Sequence, residues 1–336
     1  MTLLDVRDLT VHYATRRGVM RAVDGVSFAL EPGHQLGLIG ESGCGKTTTG
    51  RALLRVLPRN GRIAGGEVRF KGTDLVSLSD NDMRRRRWRE ISMVPQSSMD
   101  SLDPVYRVGN QLMEVLVARG KMGRGAAKTR STELFALVGL SPDRLSNYPH
   151  EFSGGMRQRA VIAMALALDP DLVIADEPVT ALDVIVQHQV LRTFRELQER
   201  LNLSVIMITH DISVVAETCD EVAVMYAGKI VEHTSVARFF REPVHPYTLG
   251  LQNAYPSLVN PSRTLISIEG YPPDLVDPPK GCRFNTRCPF AIERCFQEEP
   301  PLIEVAPGHK AACHRWPEVE MLRAKAKEAE TWQIRA

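Results

Sequence analysis

Residues 40–47 read Gly40-Glu41-Ser42-Gly43-Cys44-Gly45-Lys46-Thr47, which fits G-x-x-x-x-G-K-[ST]. The run lies between a short apolar strand, His34-Gln35-Leu36-Gly37-Leu38-Ile39, and a helical segment from Lys46 to about Leu57. That context gives the motif its meaning. Glycines permit the positive φ a tight cradle needs, so successive backbone N–H groups can curl around a phosphate. The following helix adds partial positive charge at its N-terminus. Lys46 is then expected to reach the β- and γ-phosphates, and the Thr47 hydroxyl to bind Mg²⁺.

The rest of the pattern agrees with an α/β layer. Residues 3–13 and 20–30 alternate apolar and polar positions, as half-buried strands do. Short apolar strands at Ile91–Val94, Leu172–Ala175 and Val205–Thr209 alternate with helices at Met156–Leu168 and Val184–Leu201. This alternation predicts a parallel sheet, with an added antiparallel sheet near the N-terminus. A length of 336 residues suits about two units. Lys plus Arg is 42 against 40 Asp plus Glu, a near balance that argues against bulk nucleic acid as the partner. The longest apolar run, Ala160–Leu168, is nine residues. A spanning helix needs about 20, and the early acids leave no secretory pattern, so a cytoplasmic chain is expected.

Two further motifs complete a nucleotide site. Asp176-Glu177 follows the Leu172–Ala175 strand. A carboxylate there can hold Mg²⁺, usually through water, and its neighbour can polarise an attacking water. Glu151-Phe152-Ser153-Gly154-Gly155-Met156 opens a helix and forms a second anion-binding end. One nucleotide does not need two such ends from one chain. A head-to-tail pair, each Ser-Gly-Gly closing on the partner's nucleotide, resolves this.

The ordered set resembles the ATPase subunits of ABC transporters: P-loop at 40–47, Gln loop at Gln96, signature at 152–156, acidic motif at 172–177, D-loop at Ala181-Leu182-Asp183 and switch histidine at His210. Phe152 and Met156 depart from the commonest signature. The resemblance implies roles. Tyr13 stacks on adenine, and Gly40, Ser42, Gly43, Cys44, Gly45, Lys46, Thr47 and Thr48 bind ATP. Thr47, Gln96 and Asp176 hold Mg²⁺, Glu177 is the general base, and His210 contacts the γ-phosphate. Ser153, Gly154, Gly155 and Asp183 work across the dimer. His245-Pro246-Tyr247-Thr248 and Ser101-Leu102-Asp103-Pro104-Val105 resemble the oligopeptide/dipeptide importer branch. Leu53–Pro58 and Gly65-Gly66-Glu67-Val68 look like its "D" subunit.

After about Arg241 prolines crowd in, from Pro243 to Pro279, and the tail from Glu318 reads as a solvated charged helix. Cys282, Cys288, Cys295 and Cys313 cluster there with spacing C-x5-C-x6-C-x17-C. Four thiolates from one short segment can hold zinc or an iron–sulfur cluster, and spacing alone does not decide. The resemblance implies a [4Fe-4S] cluster, with zinc the runner-up. His309 and His314 are not needed as ligands. The run Arg84-Arg85-Arg86-Arg87-Trp88-Arg89 reads as a solvated helix face, or as a contact to anionic lipid headgroups. Cys44, at a helix N-terminus, is expected to have a lowered pKa.

The expected fold is α/β: an ABC-type P-loop domain (RecA-like core, antiparallel β-subdomain, helical subdomain) over 1–241, a metal-binding Pro-rich domain over 242–316 and a charged helical tail over 317–336. The implied function is ATP hydrolysis that powers peptide import at the cytoplasmic face of the membrane. Its implied partners are a paralogous ATPase subunit, two permeases and an extracytoplasmic substrate-binding protein. The same machinery importing an oligosaccharide, opine or metal complex is the alternative. A soluble ABC ATPase acting on nucleic acid or ribosomes is a rival, but this chain has a single P-loop and no sustained heptads. A purely structural metal-binding module would not need Lys46, Asp176 and Glu177.

Overall fold

The computed structural model describes residues 2–96, 101–255 and 266–333. Pro256, Pro261 and the last three residues of the tail lie outside these. Twelve strands are described: β1 Leu4–Thr15, β2 Gly18–Leu30, β3 Gln35–Ile39, β4 Gly61–Phe70, β5 Thr73–Asp74, β6 Ile91–Val94, β7 Leu172–Asp176, β8 Ser204–Thr209, β9 Glu221–Tyr226, β10 Lys229–Ser235, β11 Ile303–Ala306 and β12 His309–Ala311. The helices are α1 Lys46–Leu53, α2 Asp80–Arg86, α3 Val108–Ala118, α4 Arg124–Leu137, α5 Gly154–Ala165, α6 Val184–Leu201, α7 Ile212–Thr218, α8 Val236–Arg241, α9 Pro246–Asn253, α10 Glu293–Gln297 and α11 Val319–Lys325.

The central sheet runs β11-β12-β10-β9-β3-β8-β7-β6, and β9, β3, β8, β7 and β6 pair in parallel. Every residue of β3, β7 and β8 is buried. That is why these strands read as continuous apolar runs: a parallel sheet is covered on both faces. A second, antiparallel sheet runs β2-β1-β4-β5, the added sheet anticipated from the alternation of residues 3–30.

Alternation along the central strands separates two cores. Val173, Ala175, Val205 and Met207 face one side, packed with residues of α3, α4, α5 and α6. Leu172, Ile174, Ile206 and Ile208 face the other, packed with the antiparallel sheet and with Ala52 and Leu53 of α1. The phosphate-loop helix and the Ser-Gly-Gly helix therefore lie on opposite faces of one sheet.

The expected helix from Lys46 to about Leu57 stops at Leu53. Arg55 turns left-handed at φ 51°, and its guanidinium bonds to the Leu78 carbonyl and Asp80 carboxylate. The basic run is not a freely solvated helix face. Arg86 pairs with Glu90, Arg87 donates to the carbonyls of Leu54 and Arg55, and Arg89 donates to that of Arg119. Arg84 and Arg85 remain exposed.

The C-terminal segment joins the same sheet, with β12 pairing to β10. Glu232, fully buried, accepts from the backbone N–H groups of Val244 and His245 and lies 2.8 Å from His309 Nε2. The tail is docked, not solvated. Leu322, Ala326 and Trp332 are buried, and the Ala326 carbonyl accepts from Asn253 Nδ2 and Trp332 Nε1. Leu322 and Ala326 are four residues apart, so they share one helix face, which a count of charges does not reveal. Among the described residues no helix is long and apolar enough to cross a membrane.

Candidate functional site at the phosphate loop

The loop between β3 and α1 owes its shape to glycine. Gly40 has φ 150°, and a Cβ there would lie 2.1 Å from the Met225 carbonyl oxygen. Gly45 has φ 108°, and its Cβ would lie 2.3 Å from the Ala22 carbonyl oxygen. Both neighbours are backbone, so any larger residue would displace a strand. Ser42 and Gly43 are exposed at the tip, while Cys44, Gly45 and Lys46 are buried. Lys46 Nζ donates to the carbonyls of Gly40 and Glu41 at 2.7 and 2.9 Å, which aims the ammonium into the loop. Thr47 and Thr48 are half-buried on the first turn of α1.

The Cys44 expectation is reversed. Its thiol is raised above the usual range: burial outweighs the nearby Lys46 charge. Iodoacetamide at pH 8 should label Cys44 about tenfold or more slowly than a free thiol, because the attacking species is the thiolate. Peptide mass spectrometry over time checks this, and labelling at the free-thiol rate would contradict the burial.

Asp176 ends β7 fully buried. Its Oδ1 accepts from the Thr47 hydroxyl at 2.9 Å, and its Oδ2 is buried with no hydrogen-bond partner among the described residues. Burial raises its pKa, the Thr47 hydrogen bond opposes this, and the Glu177 charge raises it further. A buried, unsatisfied carboxylate oxygen beside a hydroxyl is a hard-oxygen donor set that fits Mg²⁺.

Glu177 takes φ 48°, a left-handed conformation uncommon outside glycine, and its N–H donates to the Ile208 carbonyl. Strain of this kind persists where the surroundings fix it, and it clusters at functional sites. Three side chains converge on the carboxylate. Gln96 Nε2 donates to Oε2 at 3.2 Å, the Thr180 hydroxyl donates to Oε2 at 3.0 Å, and His210 Nδ1 lies 3.1 Å from Oε1. Burial pushes the carboxyl up, but the contacts with His210, Thr180 and Gln96 outweigh it and hold it below the ordinary glutamate value. Gln96, Glu177 and His210 come from three separate loops. Thr180 was missed, although its spacing of three from Glu177 is one at which a hydroxyl can reach back.

On the opposite face, Ser153 caps α5 by accepting from the Met156 N–H at 3.3 Å. Ser153 is exposed and Gly154 is half-buried. Gly155 packs so closely on Val186 that a Cβ would lie 2.3 Å from Val186 Cγ1. Asp183 caps α6 by accepting from the Val186 N–H at 3.0 Å. The signature and the D-loop thus brace each other through Val186. Phe152 is buried, its ring set edge-on to Phe135.

Two expectations fail here. Tyr13 does not offer a free ring face. It is 8% exposed, on the β1 face shared with Leu9 and Val11, and its ring lies against Gly61. Its hydroxyl approaches the loop, 3.3 Å from Thr48 Oγ1. The metal-binding C-terminal domain is also overturned. Cys282, Cys288, Cys295 and Cys313 line one small cavity. Among the described residues, however, no group of three or more His, Cys, Asp or Glu side chains could hold a metal ion. In the metal-free chain burial pushes Cys282 up to about 11, Cys313 up to about 12 and Cys288 well above its usual range. The [4Fe-4S] cluster and the zinc alternative are both withdrawn. His309 is committed to Glu232, and His314 Nε2 sits 3.0 Å from the Glu298 carbonyl oxygen.

Comparison with known proteins agrees with this geometry. The ABC transporter family profile matches residues 23–180, and the profile for the oligopeptide/dipeptide transporter C-terminal region matches residues 231–295. A probable peptide ABC transporter ATP-binding protein of Sinorhizobium fredii is 50% identical, covering 94% of this chain and 96% of that protein. The oligopeptide transport ATP-binding protein OppD of Bacillus subtilis is 47% identical over 91% of this chain and 87% of its own length. Its Escherichia coli namesake is 47% identical over 93% of each. The dimeric structure of a bacterial ABC transporter cassette aligns with TM-score 0.62 and 23% identity over 69% of this chain and 98% of that one, which shows the shared fold. With its P-loop, signature and acidic cluster arranged on this fold, the chain belongs to the ABC transporter ATPases, in the family of oligopeptide and dipeptide transport ATP-binding proteins.

Proposed function

We propose that this chain hydrolyses ATP to power import of di- and oligopeptides through a membrane ABC transporter. The observation that carries the reading is the convergence of Gln96, Thr180 and His210 on Glu177, next to Asp176 and Thr47. In this reading the backbone N–H groups of residues 42–48 and the Lys46 ammonium bind the phosphates. Thr47 and Asp176, with Gln96, hold Mg²⁺, which when bound offsets phosphate charge. Glu177, kept deprotonated, takes the proton of the attacking water. His210 and Thr180 fix the carboxylate's direction, and His210 would contact the γ-phosphate of bound ATP.

The opposite-face placement of α1 and α5 supports a head-to-tail pair. Ser153, Gly154, Gly155 and Asp183 of one subunit would close on the nucleotide of the other. Relatives named for oligopeptide and dipeptide transport support peptide as the cargo. The assembly would comprise a paralogous ATPase, two permeases and an extracytoplasmic binding protein, with this chain at the cytoplasmic face of the membrane. Co-expression with the genes encoded beside it tests this. The chain should co-purify with permeases, and peptide-loaded binding protein should stimulate ATPase activity. Purification alone as a fully active homodimer, or stimulation by a sugar-loaded but not a peptide-loaded protein, would overturn the assembly or the cargo.

A further inference from the structure

Glu41, the second residue of the phosphate loop, is held from outside the loop. Its backbone N–H donates to the Tyr247 hydroxyl at 2.8 Å. Its carboxylate takes a two-pronged contact from Arg287, with Nη1 to Oε2 at 2.9 Å and Nη2 to Oε1 at 3.1 Å. Its carbonyl oxygen is one of the two that bind Lys46 Nζ. Both anchors come from the C-terminal segment, more than 200 residues away in the chain.

The anchors are themselves rigid. The Arg287 side chain is 5% exposed. It also donates to the carbonyls of Glu269 and Ile268 and lies 3.2 Å from the Tyr226 hydroxyl. Tyr247 and Tyr226 are fully buried, with ring centroids 4.6 Å apart, and both rings pack on Phe284. Tyr226 ends β9, the neighbour of β3 from which the loop departs. A planar, charge-assisted fork in such a setting fixes direction as well as distance.

We propose that Arg287 and Tyr247 are positioning residues for the nucleotide site: they clamp Glu41, and so set the approach of Lys46 and the loop N–H groups to ATP phosphates. The C-terminal segment thereby belongs to the ATP site without touching ATP. The inference rests on the reading of residues 40–48 as that site. The order of effects follows from the chemistry. Tyr247→Phe removes one hydroxyl and keeps the aromatic packing. Arg287→Lys keeps the charge but loses the fork. Arg287→Gln loses both, while the Glu41 side chain, 26% exposed, still reaches water.

The test uses the full chain and a fluorescent ATP analogue, with melting temperature measured alongside and kcat at saturating ATP measured in the co-purified complex. Tyr247→Phe and Arg287→Gln should each weaken nucleotide affinity about tenfold, and Arg287→Lys should recover part of that loss. The kcat should stay within about twofold, because the base and its partners are untouched. Glu41→Gln combined with Arg287→Gln should cost no more affinity than the worse single variant. Affinity within about twofold of wild type in both Tyr247→Phe and Arg287→Gln would overturn the clamp, as would strict additivity in the pair. Should Arg287→Gln fail to fold, Tyr247→Phe decides alone. Lys46→Ala separates the two readings. If it retains full affinity, the loop is not the ATP site. If it loses affinity while the clamp variants do not, only the clamp fails.

Discussion

Glu177→Gln should lower steady-state ATP hydrolysis by about 10²–10⁴-fold, the contribution of a positioned base, while ATP binding stays near wild type. Glutamine keeps the size and can keep hydrogen bonds to Thr180 and His210, but it cannot take a proton. Lys46 and the loop would still hold the nucleotide, so the variant should accumulate as an ATP-closed dimer with its partner. The pH dependence follows from the sign of the shift. Contacts with His210, Thr180 and Gln96 hold the Glu177 carboxyl below its ordinary value of 4.5. The base is therefore charged across the neutral range. Its acid limb in kcat/KM should fall below pH 4.5, and the stability its contacts contribute is present above that pH and lost as pH falls through the folded value. Single-turnover hydrolysis with the assembled complex, across pH, checks both points. Hydrolysis by Glu177→Gln within about threefold of wild type would remove the residue from the base role.

What the sequence revealed and what it hid divide along physical lines. The loop at 40–47 and the strands β3, β7 and β8 were legible because local rules determine them: glycine φ and fully buried parallel strands. Long-range contacts were not. Nothing local tells that Arg287 would reach Glu41, or that Glu232 would collect Val244, His245 and His309. The tail read as solvated because charges recur all along it, yet Leu322, Ala326 and Trp332 are enough to dock it. The resemblance implied that Tyr13 stacks on adenine, but the strand's alternation turns it inward. The cysteines show the opposite error. Proximity along the chain does place the four thiols around one cavity, but a metal needs several ligands converging at bonding distance, and no such group is formed among the described residues.

Asp176→Asn should give opposite signs in activity and in stability. The carboxylate is fully buried, one oxygen is bonded to Thr47, and the other has no hydrogen-bond partner among the described residues. Burial raises its folded pKa above the ordinary 3.8, against the Thr47 hydrogen bond and with help from the Glu177 charge. A carboxyl raised in this way favours the fold when protonated. That contribution is present at acid pH and is lost as pH rises from 3.8 through the folded value. Once ionised, and without divalent metal, this carboxylate is a buried charge with one oxygen bonded to Thr47 and the other unsatisfied among the described residues. Asparagine fills nearly the same volume and keeps an acceptor for Thr47. A neutral amide costs less to bury than an unpaired carboxylate. In EDTA the variant should therefore melt at or above the wild-type temperature. Mg²⁺ should raise the wild-type melting temperature in the presence of ATP and should do little for the variant. Mg²⁺-dependent hydrolysis should fall about 10–100-fold or more, the scale seen when a group that holds or orients a metal's ligands is removed. Calorimetry with and without Mg²⁺, beside an ATPase assay titrated with Mg²⁺, separates the two effects. A variant that melts several degrees lower in EDTA would show that the Asp176 charge stabilises the fold directly, and an unchanged Mg²⁺ requirement would take Asp176 out of the metal's reach.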